Sequence, residues 1–417
     1  MHQPDNRIAI VGAGHAGGTA AALLRQHGWT GPITLIGDEP VLPYQRPPLS
    51  KAWLKGKADA GALALKHDAF YAERAIALKL GATVAGADAA ARSLSLSTGE
   101  TVAFDTLILA TGARARGLGV PGHDLPGVLA LRSAADAERL KTALATSGRL
   151  AVIGGGYLGL EVAASARSLG VDVVVIERAP RILARVASEP LSAFFQDYHQ
   201  RRDVVFECDA EVAAFHGEDG VLRGVALADG RTIAADLALV SIGAAPNDAL
   251  ARALGCACDD GIIVDSRART SVPGIYAIGD ATRRPLPLYE ATACVESVPS
   301  ALEQARQLVA DLTGAPAPAP EAPWFWSDQY DVKLQIVGLP IGVAQTYLRG
   351  DRDSGRFAIF HLDAEERVQA VEAVNAPAEF MFGRMLVADR RRVSPDRLAD
   401  ATIPIKQCLA QATQTTE

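Results

Sequence analysis

Two glycine-rich segments have residue types and spacings suited to binding the phosphates of a dinucleotide. The first reads Gly12-Ala-Gly14-His-Ala-Gly17 and follows the apolar residues 8–11. This pattern predicts a strand, a tight turn at Gly12 and a helix, with Gly14 letting backbone approach a pyrophosphate and Gly17 letting the helix pack closely on the strand. Unpaired N–H groups and the helix dipole would attract the pyrophosphate to the start of that helix, which includes residues 19–26.

An acidic residue completes this unit, and the whole pattern occurs twice. Asp38 ends a second predicted strand about 20 residues after Gly17, where a dinucleotide-binding unit places its ribose-binding carboxylate. The second copy has a predicted strand over residues 171–176 that ends at Glu177, and its glycines are Gly154, Gly156 and Gly159. A single glycine pattern also fits an ordinary turn, but two complete copies predict two dinucleotide sites.

The identity of the second acid bears on the choice of nicotinamide cofactor. A carboxylate at Glu177 accepts hydrogen bonds from the ribose hydroxyls of NAD and repels the 2′-phosphate of NADP, which favours NADH. Arg178, Arg181 and Arg185 follow closely and would soften that repulsion. The sequence therefore predicts a preference for NADH and leaves its strictness open.

Further apolar segments predict strands that end in glycine turns. Residues 106–109 lead to Thr111-Gly112, and residues 237–240 lead to Gly243, and both turns are candidate domain boundaries. Asp280 follows another apolar segment, so its carboxylate is expected at the carboxyl edge of a sheet, where it can accept hydrogen bonds from a sugar-like chain.

The last quarter of the chain has a different pattern. The proline-rich residues 314–323 predict a semi-rigid connector. Residues 332–338, 357–362 and 368–374 then predict antiparallel strands, and residues 377–391 predict a helix.

Composition excludes several classes of protein. The 417 residues carry 41 basic and 48 acidic side chains, and a net charge of -7 argues against nucleic acid as a partner. No apolar run is long enough to span a bilayer and no export signal is visible, so we expect a cytoplasmic protein without a membrane partner.

Cysteine usage predicts neither a disulfide framework nor a metal site. The five cysteines are irregularly spaced, and Cys256-x-Cys258 lacks accompanying residues with the spacing of zinc ligands. No cysteine precedes Cys208.

Six segments in order along the chain are informative together: Gly12-Ala-Gly-His-Ala-Gly17, Pro43-Tyr-Gln-Arg46-Pro-Pro-Leu-Ser-Lys51, Gly154-Gly-Gly-Tyr-Leu-Gly-Leu-Glu161, Ile278-Gly-Asp280, Glu296-Ser-Val-Pro299 and Trp324-Phe-Trp326-Ser-Asp-Gln-Tyr330. Together they resemble the FAD-dependent, putidaredoxin reductase-like ferredoxin reductases of the glutathione-reductase-like flavoprotein superfamily.

The resemblance implies an α/β fold with two Rossmann-like dinucleotide-binding domains and a C-terminal α+β domain. An FAD-binding domain, residues 1–112 and 244–317, would be split around an inserted NAD-binding domain, residues 113–243. The C-terminal domain would comprise residues 318–417.

The implied activity is transfer of a hydride from NADH to FAD, followed by single-electron transfer to a [2Fe-2S] ferredoxin that serves a cytochrome P450 or a Rieske-type oxygenase. Disulfide reductases of the superfamily carry a redox-active cysteine pair beside the flavin, and the related oxidases carry one cysteine. This chain has no thiol there, so its electrons are expected to leave for another molecule. An NADH oxidase or disulfide reductase, and a non-enzymatic flavin redox sensor, are the alternatives.

Individual positions are assigned through the same resemblance. Those that resemble FAD contacts are Ala16, Asp38, Arg46, Lys51, Val84, Thr111, Arg132, Asp280 and Val298. For Val84 a strand-packing role and for Arg132 a solvated side chain are the alternatives. The glycine turn at Gly243 is included among the nucleotide-binding positions.

Three residues are candidates for the reacting centre. Lys51 would lie near the flavin N5 edge and pair with Glu161, although alone they fit a surface lysine and a helix-start acid. Trp326 would shield the flavin on the side that faces the ferredoxin, with a core aromatic as the alternative.

An acidic ferredoxin requires a local basic patch on a chain of negative net charge. Arg306 best matches the docking region of the family. Weaker candidates are Arg283, Arg284, Lys333 and Arg349. The run Arg390-Arg-Arg392 fits a solvated helix end instead.

Overall fold

The computed structural model of the chain describes residues 6–410. Its strands, in chain order, are β1 (Ile8–Val11), β2 (Ile33–Gly37), β3 (Ile76–Leu80), β4 (Val84–Asp88), β5 (Ser93–Leu96), β6 (Thr101–Ala103), β7 (Thr106–Leu109), β8 (Ala113–Ala115), β9 (Val128–Leu129), β10 (Arg149–Ile153), β11 (Asp172–Ile176), β12 (Val204–Glu207), β13 (Val212–Glu218), β14 (Val221–Leu227), β15 (Thr232–Ala234), β16 (Leu237–Val240), β17 (Ala244–Pro246), β18 (Ile262–Ile263), β19 (Ile275–Ala277), β20 (Thr282–Leu286), β21 (Ala291–Ala293), β22 (Trp324–Gln329), β23 (Val332–Gly338), β24 (Gln345–Asp351), β25 (Arg356–Leu362) and β26 (Val368–Val374).

The helices lie between these strands or follow them. They are α1 (His15–Gln26), α2 (Ala60–Leu63), α3 (Asp68–Glu73), α4 (Ala134–Leu144), α5 (Tyr157–Ser168), α6 (Glu189–Gln200), α7 (Ala249–Ala253), α8 (Val298–Thr313), α9 (Pro377–Ala388) and α10 (Pro395–Ala399). Within residues 6–410 no helix combines the length and the hydropathy needed to cross a membrane.

The first compact unit is built on a five-stranded parallel sheet. This unit comprises Met1–Ala115, Arg132–Ala134 and Ala244–Pro320, and its sheet has the order β19-β7-β1-β2-β3. The central strands β1 and β7 are buried along their whole length. Burial on both faces explains why their sequences are continuous apolar runs rather than alternating ones.

Alternate residues of strand β1 face two separate apolar clusters, one on each face of the sheet. Ile8 and Ile10 pack on the side that holds α1 and α8, with Leu24 and Leu308 among their neighbours. Ala9 and Val11 face the opposite cluster, which includes Leu94 and Leu96 of β5. The strand that leads into the first glycine turn is therefore covered on both faces. Helix α1 packs directly against α8.

The second compact unit contains two larger sheets. It comprises Arg116–Leu131, Ala135–Gly243 and Glu321–Glu417. A parallel sheet has the order β12-β11-β10-β16-β9, and an antiparallel sheet has the order β22-β23-β26-β25-β24, with α9 packed on β23 and β26. The predicted α/β fold class is confirmed. Apart from residues 113–115, 132–134 and 318–320, which belong to the first unit, the predicted NAD-binding and C-terminal ranges fall within this second unit. The division into domains by ligand stays a prediction.

The three strands predicted in the C-terminal region are present, but β22 and β24 were not predicted and one helix end differs. The strands predicted over residues 332–338 and 368–374 have those bounds, whereas α9 ends at Ala388 instead of residue 391. Arg390 has a φ of 52°, a left-handed conformation that stops an α-helix. Residues 390–392 are therefore an exposed segment beyond the helix end.

Candidate functional site

The first glycine turn is dictated by close backbone approach. Gly12 has a φ of 113°, and a Cβ at this position would lie 2.0 Å from the carbonyl oxygen of Ala110. A Cβ on Gly17 would lie 1.9 Å from the carbonyl oxygen of Gly12. Both positions therefore require glycine, because any side chain would push α1 away from the sheet.

The space beside Gly14 meets the requirements of a phosphate cradle. No atom lies within 4 Å of where a Gly14 Cβ would stand, and no side chain caps the N-terminus of α1. Helix N-terminal N–H groups without a side-chain acceptor and with open space before them fit the pyrophosphate of a dinucleotide.

The second glycine turn repeats this geometry in the second unit. Gly154 has a φ of 102°, and its Cβ would lie 2.4 Å from the carbonyl oxygen of Ser241. The space beside Gly156 is open, and α5 also begins without a side-chain cap. A Cβ on Gly159 would meet the carbonyl oxygen of Gly154 at 2.4 Å. This turn likewise fits a pyrophosphate.

Charged and polar side chains form a network in the first unit. Arg132 Nη2 lies 2.7 Å from Asp280 Oδ2, and Arg46 Nη2 lies 3.0 Å from Glu39 Oε1. Arg46 also donates to the carbonyl oxygen of Arg132, which joins the two ion pairs. The Tyr44 hydroxyl donates to Glu39 Oε2 at 2.8 Å. The predicted positions Arg46, Arg132 and Asp280 are thus brought together, and Arg132 is ion-paired rather than solvated.

Sequence reasoning missed two members of this network. Glu39 and Tyr44 orient Arg46, and the Tyr44 hydroxyl also accepts a hydrogen bond from the backbone of Ala134 at 2.9 Å. Burial raises the pKa of Tyr44, so its hydroxyl stays protonated. The available signal was the placement of Glu39 directly after the ribose-type acid Asp38.

The pKa of His15, which lies between Gly14 and Gly17, also depends on this network. Burial and then repulsion by Arg46 lower its pKa to about 4. The imidazole is therefore neutral at neutral pH and adds no positive charge at the start of α1.

The other predicted FAD positions lie at various points of the first unit. Asp38 is exposed, with Oδ1 accepting from the Glu39 backbone at 3.1 Å. Buried Ala16 is close to the turn that carries Asp280, because a Cβ on Gly279 would lie 2.9 Å from the Ala16 Cβ. Val298 is the first residue of α8. Their contacts with FAD stay predictions.

Thr111 and Val84 have structural partners of their own. The Thr111 hydroxyl donates to the carbonyl oxygen of Asn247 at 2.7 Å, and the Asn247 amide donates back to the Thr111 carbonyl oxygen at 3.0 Å. These bonds join the segment of the first unit that ends at Ala115 to the segment that begins at Ala244. Half-buried Val84 packs against the cluster that contains Leu94, so the packing role considered for it is present.

The candidates for the reacting centre lie in different compact units. Lys51 Nζ, in the first unit, lies 3.1 Å from the carbonyl oxygen of Pro47 and 3.3 Å from Ser50 Oγ. Glu161, in the second unit, is buried on α5, and its Oε1 accepts a hydrogen bond from Ser327 Oγ at 2.7 Å. The predicted Lys51–Glu161 pair stays a prediction.

Glu177 ties the second glycine turn to the end of β11. Its Oε2 accepts from the backbone N–H of Gly155 at 2.7 Å, and its Oε1 accepts from that of Ala179 at 2.8 Å. Arg181 donates to the carbonyl oxygens of Ala184 and Ala187, so its guanidinium is engaged locally. Arg178 and Arg185 are exposed. Gly243, at the end of the segment after β16, has a φ of 101°.

The aromatic strand β22 presents rings on both of its faces. Trp326 is half-buried and lies 5.7 Å from the ring of Trp324, which in turn packs on Phe380 of α9. On the other face, the ring of Phe325 lies 4.5 Å from that of Tyr157 at the start of α5. Both indoles are half-buried, and Trp324 is the one that contacts Phe380 of α9.

Two of the weaker docking candidates are wrong. Arg284 is buried, with Nη1 2.7 Å from Glu303 Oε2, and Arg349 is buried, with hydrogen bonds to the carbonyl oxygens of Asp400 and Ile403. Guanidinium groups that are buried and bonded within the protein cannot face a ferredoxin. Arg306 and Arg283 are half-buried, and Lys333 is exposed.

The thiols have ordinary environments. All five cysteines are free, and burial is the main cause that raises the pKa of each, which makes them poor nucleophiles. Across residues 6–410, no group of three or more His, Cys, Asp or Glu side chains is arranged to hold a metal ion.

Lowering the pH is expected to destabilise the second unit through His199. Burial, with a further contribution from Arg202, lowers the pKa of this imidazole from 6.5 to about 4, although the hydrogen bond to Gln329 opposes the change. Below pH 6.5 this imidazole is therefore protonated in the unfolded chain but still neutral in the folded one. The free energy of unfolding falls as the pH drops through this range. We expect a loss of about 2 kcal/mol from this group between pH 7 and pH 5. Urea unfolding of the parent and of His199→Gln measures it, and equal pH dependence in the two proteins would contradict the assignment.

Comparison with known proteins gives consistent matches along the chain. The family described as pyridine nucleotide-disulphide oxidoreductase matches residues 6–305, and the family described as reductase C-terminal matches residues 324–409. The chain is 46% identical over 402 residues to the probable ferredoxin reductase CtmF of Castellaniella defragrans, covering 96% of this chain and 98% of that protein.

Two solved structures are similar over almost their whole length. The covalent putidaredoxin reductase–putidaredoxin complex aligns with a TM-score of 0.94 and 39% identity, covering 97% of this chain and 98% of the matched chain. The ferredoxin reductase for the CYP199A2 system from Rhodopseudomonas palustris aligns with a TM-score of 0.94 and 40% identity, covering 97% and 100%.

Proposed function

We propose, from the premise that this chain belongs to the pyridine nucleotide-disulphide oxidoreductase family and within it to the ferredoxin reductases, that it oxidises NADH and reduces a [2Fe-2S] ferredoxin. The resemblance predicted from the sequence is confirmed. The observation that carries the proposal is the pair of open glycine cradles, one in each compact unit.

The assignment of one cradle to each cofactor follows from their surroundings. Bound FAD supplies the conversion between the hydride of NADH and the single electrons that an iron–sulfur protein accepts. In the first unit, the N-terminus of α1 would hold the FAD pyrophosphate, with Arg46, Arg132 and Asp280 fixed beside it by their own ion pairs. In the second unit, the start of α5 would hold the NADH pyrophosphate, and Glu177 would exclude a 2′-phosphate.

The residues proposed at the reacting centre have positions compatible with orienting roles. The carbonyl oxygen of Pro47 and the hydroxyl of Ser50 direct the Lys51 ammonium, which would stabilise negative charge arriving at the flavin edge. The buried Glu161 carboxylate would be its partner. Trp326 would keep water from the flavin on the side that the ferredoxin approaches.

The lack of an early cysteine supports outward electron transfer. No thiol precedes Cys208, so the chain offers none in the predicted active-site segment from Arg46 to Lys51. We therefore propose that the electrons reach a separate ferredoxin, which serves a cytochrome P450 or a Rieske-type oxygenase. We also propose a cytoplasmic location, where NADH is available.

Anaerobic mixing with NADH, and then with [2Fe-2S] ferredoxins, tests this function. NADH should bleach the flavin absorption rapidly, and a suitable ferredoxin should restore it while its own cluster is reduced. Rapid peroxide formation in air or turnover of a disulfide would instead support an oxidase or a disulfide reductase. Very slow bleaching with a long-lived charge-transfer band would support a redox sensor.

Reversing the charge of Arg306 is expected to slow ferredoxin reduction. Arg306 lies half-buried on α8, and Arg306→Glu would repel an acidic ferredoxin while leaving a small acceptor little affected. We expect about a fivefold or larger loss in kcat/KM for ferredoxin at low salt, and a smaller loss at high salt, because ions screen exposed charges. Steady-state assays with ferredoxin and with a small dye measure this difference.

Arg92→Glu provides the matched control. This exposed arginine precedes β5, whose Leu94 and Leu96 pack on the face of the sheet opposite α8, and the change in net charge is the same. Equal losses for ferredoxin and dye in Arg306→Glu, or equal effects of the two variants, would reject the docking role.

A further inference from the structure

A buried row of polar side chains connects α6 to α5 through the aromatic strand β22 in the second unit. The row consists of His199 on α6, Gln329 and Ser327 on β22, and Glu161 on α5. All four residues are buried, and β22 packs directly against α5. Polar groups in such a position must satisfy one another, since each would otherwise lose its hydrogen bonds with water.

The hydrogen bonds in this row all point towards Glu161. His199 Nε2 lies 2.7 Å from Gln329 Oε1, and because an amide oxygen only accepts, the imidazole donates from Nε2. The Gln329 amide nitrogen donates to Ser327 Oγ at 3.2 Å, and the Ser327 hydroxyl donates to Glu161 Oε1 at 2.7 Å. At the other end, His199 Nδ1 is 3.4 Å from the Tyr330 hydroxyl, which can donate to it.

The protonation state of His199 is compatible with this order. Burial lowers its pKa to about 4, so the imidazole is neutral and carries one N–H. Arg202, on the neighbouring turn, stacks over the rings of Tyr198 and Tyr330 and disfavours a second proton on His199. With Nε2 protonated, Nδ1 is left to accept from Tyr330, and the direction of the whole row is fixed.

We propose that Ser327, Gln329 and His199 are positioning residues that fix the carboxylate of Glu161 for flavin reduction. The inference rests on the proposed function, in which Glu161 lies at the reacting centre. A hydroxyl that can only turn its proton towards a carboxylate holds that carboxylate in one orientation, and the amide and imidazole behind it prevent the hydroxyl from rotating away. The C-terminal strand would thereby complete a site that the α5 helix begins.

The simpler alternative is that the row only attaches β22 to α5. Both readings predict that breaking the row lowers stability, so stability alone does not separate them. A positioning role requires that the effect of Ser327 on the reaction pass through Glu161, whereas an attachment role leaves the two residues independent.

A double-mutant cycle of Ser327→Ala and Glu161→Gln on the FAD-loaded protein separates the two readings. The measurements are the rate of flavin bleaching by NADH in anaerobic stopped flow and the midpoint potential of the bound flavin. We expect each single variant to slow bleaching by about tenfold, and the double variant to be no slower than Glu161→Gln. The shift in midpoint potential should be non-additive in the same way. If the effects of the two single substitutions on the bleaching rate multiply in the double variant, and their shifts in midpoint potential add, the proposal is overturned.

Two further variants keep the test decisive. Gln329→Met, which removes the amide at nearly constant volume, enters the same cycle if Ser327→Ala fails to fold. Ser192→Ala removes another buried hydroxyl of this unit, one that donates to the carbonyl oxygen of Ile182, and should leave the bleaching rate unchanged. A slow Glu161→Gln beside a parent-like Ser327→Ala would overturn the positioning role alone. A parent-like Glu161→Gln would remove Glu161 from the proposed reaction, and the positioning role with it.

Discussion

Replacing Gly12 by alanine is expected to abolish FAD retention and to destabilise the first unit. The new Cβ would lie 2.0 Å from the carbonyl oxygen of Ala110, and the φ of 113° is one that alanine rarely adopts. The atoms that the Cβ would meet are backbone atoms of Ala110 and Thr111, which limits relaxation, so we expect the free energy of unfolding to fall by about 3 kcal/mol or more. Flavin content after purification and urea unfolding measure the two effects.

Gly14→Ala is the matched control for this variant. Gly14 has a φ of -85°, and a Cβ there would meet no atom within 4 Å, so the apoprotein should keep its stability. The same Cβ would occupy the space in which backbone is proposed to approach the pyrophosphate, and FAD retention should therefore fall. A Gly14→Ala protein that purifies with full flavin would contradict the placement of FAD at α1.

The corresponding pair in the second unit separates the two cofactors. Gly154→Ala should destabilise that unit, because its Cβ would lie 2.4 Å from the carbonyl oxygen of Ser241, whereas Gly156 has open space. Gly156→Ala should leave the flavin bound and weaken NADH. If it released flavin and left NADH binding intact, the assignment of the cradles would be reversed.

Removing the charge of Glu177 is expected to reduce the preference for NADH over NADPH by about tenfold. Glu177→Gln keeps a side-chain oxygen near the Gly155 N–H but no longer repels a 2′-phosphate, and the exposed Arg178 and Arg185 then favour one. Glu177→Ala should also weaken the glycine turn by about 2 kcal/mol, since two backbone N–H groups lose their acceptor. The ratio of kcat/KM values for NADH and NADPH measures selectivity.

Asp172→Asn controls for the loss of one negative charge. Asp172 begins the strand β11 that Glu177 follows, and its carboxylate is largely exposed in the ion pair with Arg167, so removing its charge should cost little. Selectivity should be unchanged in this variant. If Glu177→Gln also kept the parent ratio of kcat/KM values, the sequence argument for NADH would be wrong.

The sequence by itself determined the backbone framework and the family. Gly17 and Gly159 could be identified because a Cβ on either would strike the carbonyl oxygen of the first glycine of its own turn, a requirement between residues close in the chain. Gly12 and Gly154 could be identified because the turn itself needs a positive φ at these positions. The buried strands β1 and β10 were equally visible, since burial on both faces demands a continuous apolar run. The helix end at Ala388 was misplaced, because nothing in the run of arginines signals the left-handed Arg390.

Only the tertiary structure decided which charged side chains meet. Arg132 and Asp280 are 148 residues apart and form an ion pair, and Ser327 and Glu161 are 166 apart and share a hydrogen bond. The same structure buries Arg284 and Arg349, which from sequence look like surface arginines. The physical reason is that backbone sterics and hydrophobic periodicity act locally and leave a pattern in the sequence. The partner of a charged group depends instead on where distant segments pack, and residue type alone does not encode that.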